Sequence, residues 1–115
     1  MEQNPFQWSH SSVVAVTVCD ADAKIIYMNE KARRVFEKYG ENLLGKSLYD
    51  CHNPKSAAVI QKLLNEGGSN IYTIEKMGIK KLIHQSAWLS AEGNIGGLTE
   101  LSIELPIEMP HFVRS

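Results

Sequence analysis

The pair Cys51-His52 is the first place in this sequence where neighbouring side chains could do chemistry. A histidine nitrogen can hydrogen-bond a ligand, and one histidine is also enough to hold haem iron. We therefore take His52 as a candidate ligand-binding residue and, with no supporting motif, as a weaker candidate haem ligand. The alternative is that His52 caps a short turn at residues 47–50 and faces water. Covalent haem attachment is excluded, since it needs Cys-x-x-Cys-His.

Cysteine catalysis is the next possibility, because a nearby imidazole can lower a thiol pKa and make the sulfur a nucleophile. The side chains of adjacent residues such as Cys51 and His52 rarely point at each other, and most acidic residues fall in predicted turns or on solvent faces. We therefore predict that the chain is not an enzyme. Cys19 and Cys51 make no disulfide framework, so we expect free thiols, with one bridge between them as the alternative.

A second histidine, His84, lies in the middle of a strand-like run and shares one face with Ser86 and Trp88. If that face turns toward the helices, His84 lines an interior pocket and can pair with His52. The alternative is a partly exposed strand histidine. No third ligand stands at a suitable spacing, so we predict no metal site.

The composition is that of an ordinary folded domain: 115 residues, 43% of them hydrophobic, with 12 basic and 13 acidic residues. This length is typical of a single domain. The balanced charge argues against nucleic acid or an anionic membrane as partner, because both select a basic excess. Residues 1–5 lack the features of a secretory signal, and the apolar run Val13–Cys19 is too short to span a membrane. We therefore expect a cytoplasmic protein.

The first third of the chain predicts two strands and a helix. Val13–Cys19 is rich in β-branched residues and Lys24–Met28 follows after a short turn, which favours a hairpin. Asn29 stands at a helix N-cap position, apolar residues from Ala32 to Tyr39 recur with helical spacing, and Gly40 ends the helix.

Two short helices and three strands are predicted beyond this unit. Ser47 can cap one turn through Asp50, and Asn53-Pro54 can begin a helix that runs to about Asn65. The predicted strands, divided by turn signals, are Ile71–Met77, Ile79–Leu89 and Leu98–Leu105. In the last strand, apolar residues alternate with polar ones, which predicts a buried face with Leu101 and a solvent face with Glu100.

These elements predict an α+β domain: a five-stranded antiparallel sheet with short helices on one face, in the order ββ-ααα-βββ. We divide the chain into an N-terminal flanking segment at residues 1–12, the folded domain at residues 13–106 and a C-terminal tail at residues 107–115.

Several short sequence segments, in the order in which they occur along the chain, resemble segments of the PAS sensor domain. Asp20–Asn29 is similar to its opening hairpin, Leu43–Leu48 to its hydrophobic–glycine–basic turn, and Glu92–Gly97 to the turn before its last strand. Cys51–Ser56 further resembles a prokaryotic subgroup that carries a Cys-His-x-Pro-Lys-Ser segment. The resemblance spans residues 13–105, nearly the whole chain.

The resemblance implies a bacterial-type sensor in which the space between sheet and helices holds a small ligand, or a cofactor such as haem or flavin. Flavin photochemistry in this family uses an Asn-Cys-Arg-Phe-Leu string that is missing here, so we do not expect flavin. The last strand ends in Glu104-Leu105-Pro106 instead of the family's Asp-Ile-Thr-like tripeptide. We therefore expect the chain to signal by docking to another protein, or to be a sensor piece of a longer one.

The apolar residues Phe6, Trp8, Val13 and Val14 precede the first strand. In the family, such a flank often makes dimer contacts, and Trp and Phe are good interface anchors. The alternative is that these residues fold back over the open face of the sheet.

We predict a PAS sensor that binds a small apolar or mixed-polarity ligand and acts through ligand-dependent association, as a homodimer or with a signalling partner. The alternatives are a ligand-free interaction or dimerisation module and a haem-based gas or redox sensor. The residues expected to bind the ligand are His52, Tyr49 and Ile60 on the helical side and Met28, His84, Trp88 and Leu101 on the sheet side.

Overall fold

The computed structural model describes residues 7–40 and 42–115 and shows a five-stranded antiparallel sheet in the order β2-β1-β5-β4-β3. The strands are β1 (Ala15–Asp20), β2 (Ile25–Met28), β3 (Ser69–Lys76), β4 (Ile79–Leu89) and β5 (Ile95–Glu104). The helices are α1 (Gln7–His10), α2 (Glu30–Val35), α3 (Pro54–Glu66) and two 3-10 helices, η1 (Glu37–Tyr39) and η2 (Leu48–Cys51). This architecture confirms the predicted fold class, and α2, η2 and α3 correspond to the three expected helices.

Asn29 joins the first hairpin to the helices. Its Oδ1 accepts hydrogen bonds of 3.0 Å from the backbone N–H groups of Val16 and Ala32. Its Nδ2 donates to the carbonyls of Ser9 and Val14, both at 2.7 Å. An Asn amide has two donors and an oxygen with two lone pairs, so the full capacity of this buried side chain is used. The predicted N-cap is confirmed, and the same side chain also fixes α1 and β1.

Helix α2 ends at Val35, earlier than the apolar pattern through Tyr39 predicts. Phe36 has φ −103° and ψ 12°, outside the helical region, and the chain continues as the tighter helix η1. Phe36 packs against the core, whereas Tyr39 is exposed. The helical spacing is therefore divided between two elements, and only the first of them lies on the sheet.

The two helices that follow begin at the predicted residues. The Ser47 hydroxyl accepts a hydrogen bond of 3.2 Å from the N–H of Tyr49, which starts η2. The Asn53 side chain accepts one of 2.8 Å from the N–H of Ser56, and Pro54 occupies the first turn of α3. Both caps satisfy donors that a helix N-terminus leaves free.

Strand β5 begins at Ile95, before the predicted start, and runs through two glycines that Trp88 covers. The Trp88 indole N–H donates a hydrogen bond of 3.2 Å to the carbonyl of Cys19. A Cβ at Gly97 would collide with that carbonyl, and one at Gly96 would collide with the indole ring. The close approach of strand and ring therefore requires glycine at both positions.

The core lies between α2, η2, α3 and one face of the sheet, which we call the inner face. Its largest fully buried apolar side chains are Ile25, Met28, Leu48, Ile60 and Leu98.

The face of β5 that the sequence predicts to be exposed to solvent instead points toward the helices. Glu100 is only 8% exposed and lies between Thr17 of β1 and Gln85 of β4, which are both buried. Leu101 lies on the opposite face and is half-buried. The predicted assignment of the two faces was therefore wrong, because polar side chains of other elements form hydrogen bonds with Glu100 inside the fold.

Candidate functional site

A cavity of about 180 Å³ lies between the end of α2, the end of η2 and the inner face of β3, β4 and β5. Its walls are mainly apolar and aromatic, and charged groups also line it. The lining residues are Ala15, Val35, Phe36, Cys51, His52, Tyr72, Ile74, Lys76, Lys81, Ile83, Glu100 and Ser102. A concave, mostly apolar site with a few placed polar groups is the usual form of a small-molecule pocket.

A chain of hydrogen-bonded side chains runs from η2 across three strands, and we call it the polar relay: His52, Glu100, Gln85 and Asn70. His52 Nε2 lies 3.2 Å from Glu100 Oε2. Gln85 Nε2 donates to the same oxygen at 2.9 Å, and Asn70 Nδ2 donates to Gln85 Oε1 at 3.0 Å. Two of these residues, Glu100 and Gln85, are buried. The relay therefore links one wall of the cavity to the edge strand β3.

Both ring nitrogens of His52 face acceptor atoms. Its Nδ1 donates to the carbonyl of Leu48 at 2.9 Å, and its Nε2 faces the Glu100 carboxylate. Burial alone lowers the pKa of His52, but the hydrogen bond and charge of Glu100, helped by the Leu48 carbonyl, outweigh it and raise the pKa above its usual value. The doubly protonated imidazolium satisfies both acceptors, so the pair is best described as His52⁺ with Glu100⁻.

Glu100 and Gln85 are the site residues that the sequence analysis missed. Glu100 alternates with Leu101 in β5, and this pattern normally places the carboxylate in water. One signal was available: Gln85 stands between the apolar residues Ile83 and Ala87 on one face of β4. A polar residue in that position predicts a buried hydrogen-bond partner on a neighbouring strand.

The site residues do not fit haem. Both nitrogens of His52 are used by Leu48 and Glu100, so neither is free to bind iron. The cavity is also small, since pockets for drug-sized ligands measure about 300–1,000 Å³. The candidate role of His52 as a haem ligand therefore finds no support in this geometry.

Both cysteines are free and buried. Burial raises the pKa of the Cys51 thiol, and nearby Asp50 and Glu100 raise it further. Burial is also the main reason that the pKa of Cys19 is raised to about 11. These shifts favour the neutral thiol, which is the opposite of what an activated nucleophile needs.

Of the seven residues predicted to bind a ligand, only His52 lines this cavity. Ile60 and Met28 are fully buried in the core, and Tyr49 packs against it. Burial raises the pKa of the Tyr49 hydroxyl. None of these three side chains lines the cavity.

The other three predicted residues, His84, Trp88 and Leu101, lie on the outer face of the sheet. His84 pairs with Leu101 across β4 and β5, and successive side chains in a strand point to opposite faces. Since Gln85 and Glu100 point inward, His84 and Leu101 point away from the cavity. Their expected position in the pocket is corrected, and the expected pairing of His84 with His52 does not occur.

Within residues 7–40 and 42–115, no group of three or more His, Cys, Asp or Glu side chains is arranged to hold a metal ion. In the same part of the chain, no helix is long and apolar enough to cross a membrane.

The sheet order and the cavity under a layer of short helices define a class of small α+β domains. A family model described as "PAS fold" matches residues 9–68, more than half of the chain. The chain belongs to the PAS fold family. A search of curated proteins finds no significant match.

Several solved structures with the same fold are described as parts of sensors or receptors. The PAS domain of histidine kinase ThkA is 22% identical, with a TM-score of 0.64, over 78% of this chain and 97% of that one. The Aer2 receptor of Vibrio cholerae, described as a dual PAS-heme oxygen sensor, is 12% identical with a TM-score of 0.60, over 81% and 95%. The VqmA dimer of Vibrio cholerae is 14% identical with a TM-score of 0.66, over 93% of this chain and 54% of that one. The TM-scores show that these structures share the fold of this chain.

Proposed function

We propose that this chain senses a small molecule that binds in the cavity beside the polar relay and changes how the domain associates with a partner. One observation carries the proposal: mainly apolar and aromatic side chains line a cavity of about 180 Å³ next to the His52–Glu100 ion pair, whose two side chains are only 11% and 9% exposed. Sensory use of this fold in the similar structures supports the same conclusion, and a role in binding suits a family that is sensory rather than catalytic.

The cavity volume limits the ligand to a small molecule. An engineered apolar cavity of about 150 Å³ is known to bind benzene. A volume of about 180 Å³ therefore suits one ring with one or two substituents. This size agrees with the small apolar or mixed-polarity ligand predicted from the sequence.

The polar relay offers a route by which binding changes the sheet. His52 belongs to the segment between η2 and α3, Glu100 to β5 and Asn70 to β3, the strand at the edge of the sheet. A ligand that prefers one arrangement of these side chains shifts the population of the domain toward that arrangement.

Association is the proposed output. Trp8 of α1 is 72% exposed and Val13 is 84% exposed, so neither folds back over the sheet. Phe6 lies outside the described residues. An exposed Trp of this kind favours a protein partner, and we propose a homodimer or a signalling protein.

We also propose a cytoplasmic location, a sensor domain at residues 13–106 and membership of one PAS subgroup. Two unpaired thiols suit the reducing cytoplasm. Residues 13–106 are taken as the sensor domain between two flanking segments. Membership of the subgroup with the Cys-His-x-Pro-Lys-Ser segment also belongs to the proposal, because the segment supplies His52 to the relay and the cap and first-turn proline of α3.

A fragment screen by NMR tests the proposal on the isotopically labelled chain. Single-ring fragments should shift signals of cavity residues such as Ile83 and His52. Ser102→Leu should weaken that binding about tenfold or more, because overfilling a packed site costs about 1–3 kcal/mol and 1.4 kcal/mol is tenfold. Ser86→Leu is the matched control, since Ser86 is also half-buried in a strand but points to the outer face. If no fragment shifts the cavity signals, the ligand-free interaction module replaces the sensor.

A further inference from the structure

The Glu100 carboxylate borders the cavity with one oxygen that no described residue satisfies. Oε2 takes the hydrogen bonds from both His52 and Gln85. Oε1 receives none from residues 7–40 and 42–115, although the residue is only 8% exposed. In that part of the chain, every polar side-chain atom that is completely shielded from solvent has a hydrogen-bond partner. Oε1 has none, so it is not completely shielded. Oε1 is therefore open to the cavity that Glu100 lines.

We propose that Glu100 Oε1 is the recognition atom of the site and that the ligand is a small neutral ring compound carrying an O–H or N–H donor. This inference rests on the proposed function and deepens it. A charged acceptor shielded from water gains more from a donor than a neutral one does, and it loses more when left unpaired. The ligand donor would supply the partner that the fold itself does not supply.

The rest of the pocket specifies the body of the ligand. Phe36, Tyr72 and Ile83 form an apolar and aromatic wall beside the carboxylate. The Phe36 ring centroid lies 5.9 Å from that of His52, so this wall continues over the charge pair. A flat ring therefore fits between these side chains with its donor directed to Glu100.

The charges around the site favour a neutral ligand. His52 already compensates the charge of Glu100 at 3.2 Å, so a ligand cation is not required. An anion would gain from Lys76 and Lys81, which line the cavity, but would meet the Glu100 carboxylate there. A neutral hydroxyl or N–H group needs no compensating charge and is not repelled by the Glu100 carboxylate.

Phenol, toluene and benzoate separate these possibilities on the wild-type chain. Phenol and toluene have nearly the same shape, and an apolar cavity favours toluene because it is the less hydrated of the two. A donor-specific site reverses this order, and we expect phenol to bind about tenfold or more tightly than toluene, with benzoate weaker than phenol. Binding is measured by NMR titration, in which the His52 ring and Gln85 amide signals should shift while the His84 ring, on the outer face, stays unchanged.

Glu100→Gln provides the test from the protein side. The amide keeps the shape and removes the charge, so the phenol-to-toluene preference should fall by about three- to tenfold. Glu104→Gln is the control on the same strand, since Glu104 is exposed, pairs with Lys31 and does not line the cavity. It should leave the preference unchanged. The wild-type comparison stands by itself if the Glu100 variant does not fold.

The outcomes distinguish this inference from the function on which it rests. If toluene or benzoate binds the wild-type cavity as well as phenol, the role of Glu100 is overturned while small-molecule sensing stands. If neither these probes nor the wider fragment set binds the cavity, both are overturned.

Discussion

The His52–Glu100 pair shows how single residues couple distant parts of the chain. Its two members are separated by 48 residues and lie 3.2 Å apart, with only 11% and 9% of their side chains exposed. Removing one partner from a buried ion pair is destabilising, because the other charge stays buried without compensation. The pair therefore connects the segment after η2 to β5, the central strand of the sheet. The strength of this connection depends on whether His52 is protonated.

The raised pKa of His52 predicts how stability changes with pH. A histidine whose folded-state pKa lies above its unfolded value of about 6.5 binds its proton more tightly in the folded state. Its contribution is therefore complete below pH 6.5 and is lost as the pH rises through the folded-state pKa. Urea unfolding from pH 5.5 to 9 should show wild-type stability falling relative to that of His52→Gln. A constant difference between the two proteins across this range would contradict the prediction.

At the scale of elements, Asn29 holds three segments together. One amide bonds the carbonyl of Ser9 in α1, the backbone next to and within β1, and the first turn of α2. Each buried polar group that loses its partner costs about 1–3 kcal/mol, and a lost N-cap costs about 1 kcal/mol.

Asn29→Ala should therefore lower the free energy of unfolding by about 2–4 kcal/mol. Asn53→Ala is the matched control, because Asn53 is also a helix N-cap but is exposed and its side chain makes one hydrogen bond, to Ser56. That variant should lose only about 1 kcal/mol. Chemical denaturation of both variants measures the difference, and equal losses would show that the extra bonds of Asn29 add nothing.

At the scale of the whole molecule, exposed apolar side chains mark the surface proposed for association. Trp8 lies in α1 and is 72% exposed. Leu44 lies on the connection between η1 and η2 and is 44% exposed, so it serves as the comparison. Burying a Trp at the centre of an interface commonly contributes 2 kcal/mol or more.

Trp8→Ser should weaken self-association by about tenfold or more, since 1.4 kcal/mol corresponds to tenfold. Leu44→Ser should leave it unchanged. Sedimentation equilibrium over a range of concentrations measures both. A wild-type chain that stays monomeric throughout would contradict the homodimer and leave the signalling partner as the proposed associate.

Local sequence determined the elements and several of their ends. The β4 bounds agree with the prediction at both ends, Ile79 and Leu89, and the caps Asn29, Ser47 and Asn53 all form. These features depend on neighbouring residues only: the β-branched content of a run, or a side chain that bonds an N–H two or three residues ahead. Together with the ordered strings that resemble PAS domains, they were enough to predict the fold class.

Only the tertiary structure decided which face of the sheet is inside. The alternation of Glu100 and Leu101 is compatible with either face being buried. The choice depends on partners far along the chain, which are His52 from the segment after η2 and Gln85 from β4. A carboxylate is buried when such partners converge on it and solvated when they do not. That convergence is a property of the packed molecule, which is why the sequence identified His52 but placed His84 and Leu101 in the pocket instead of Glu100 and Gln85.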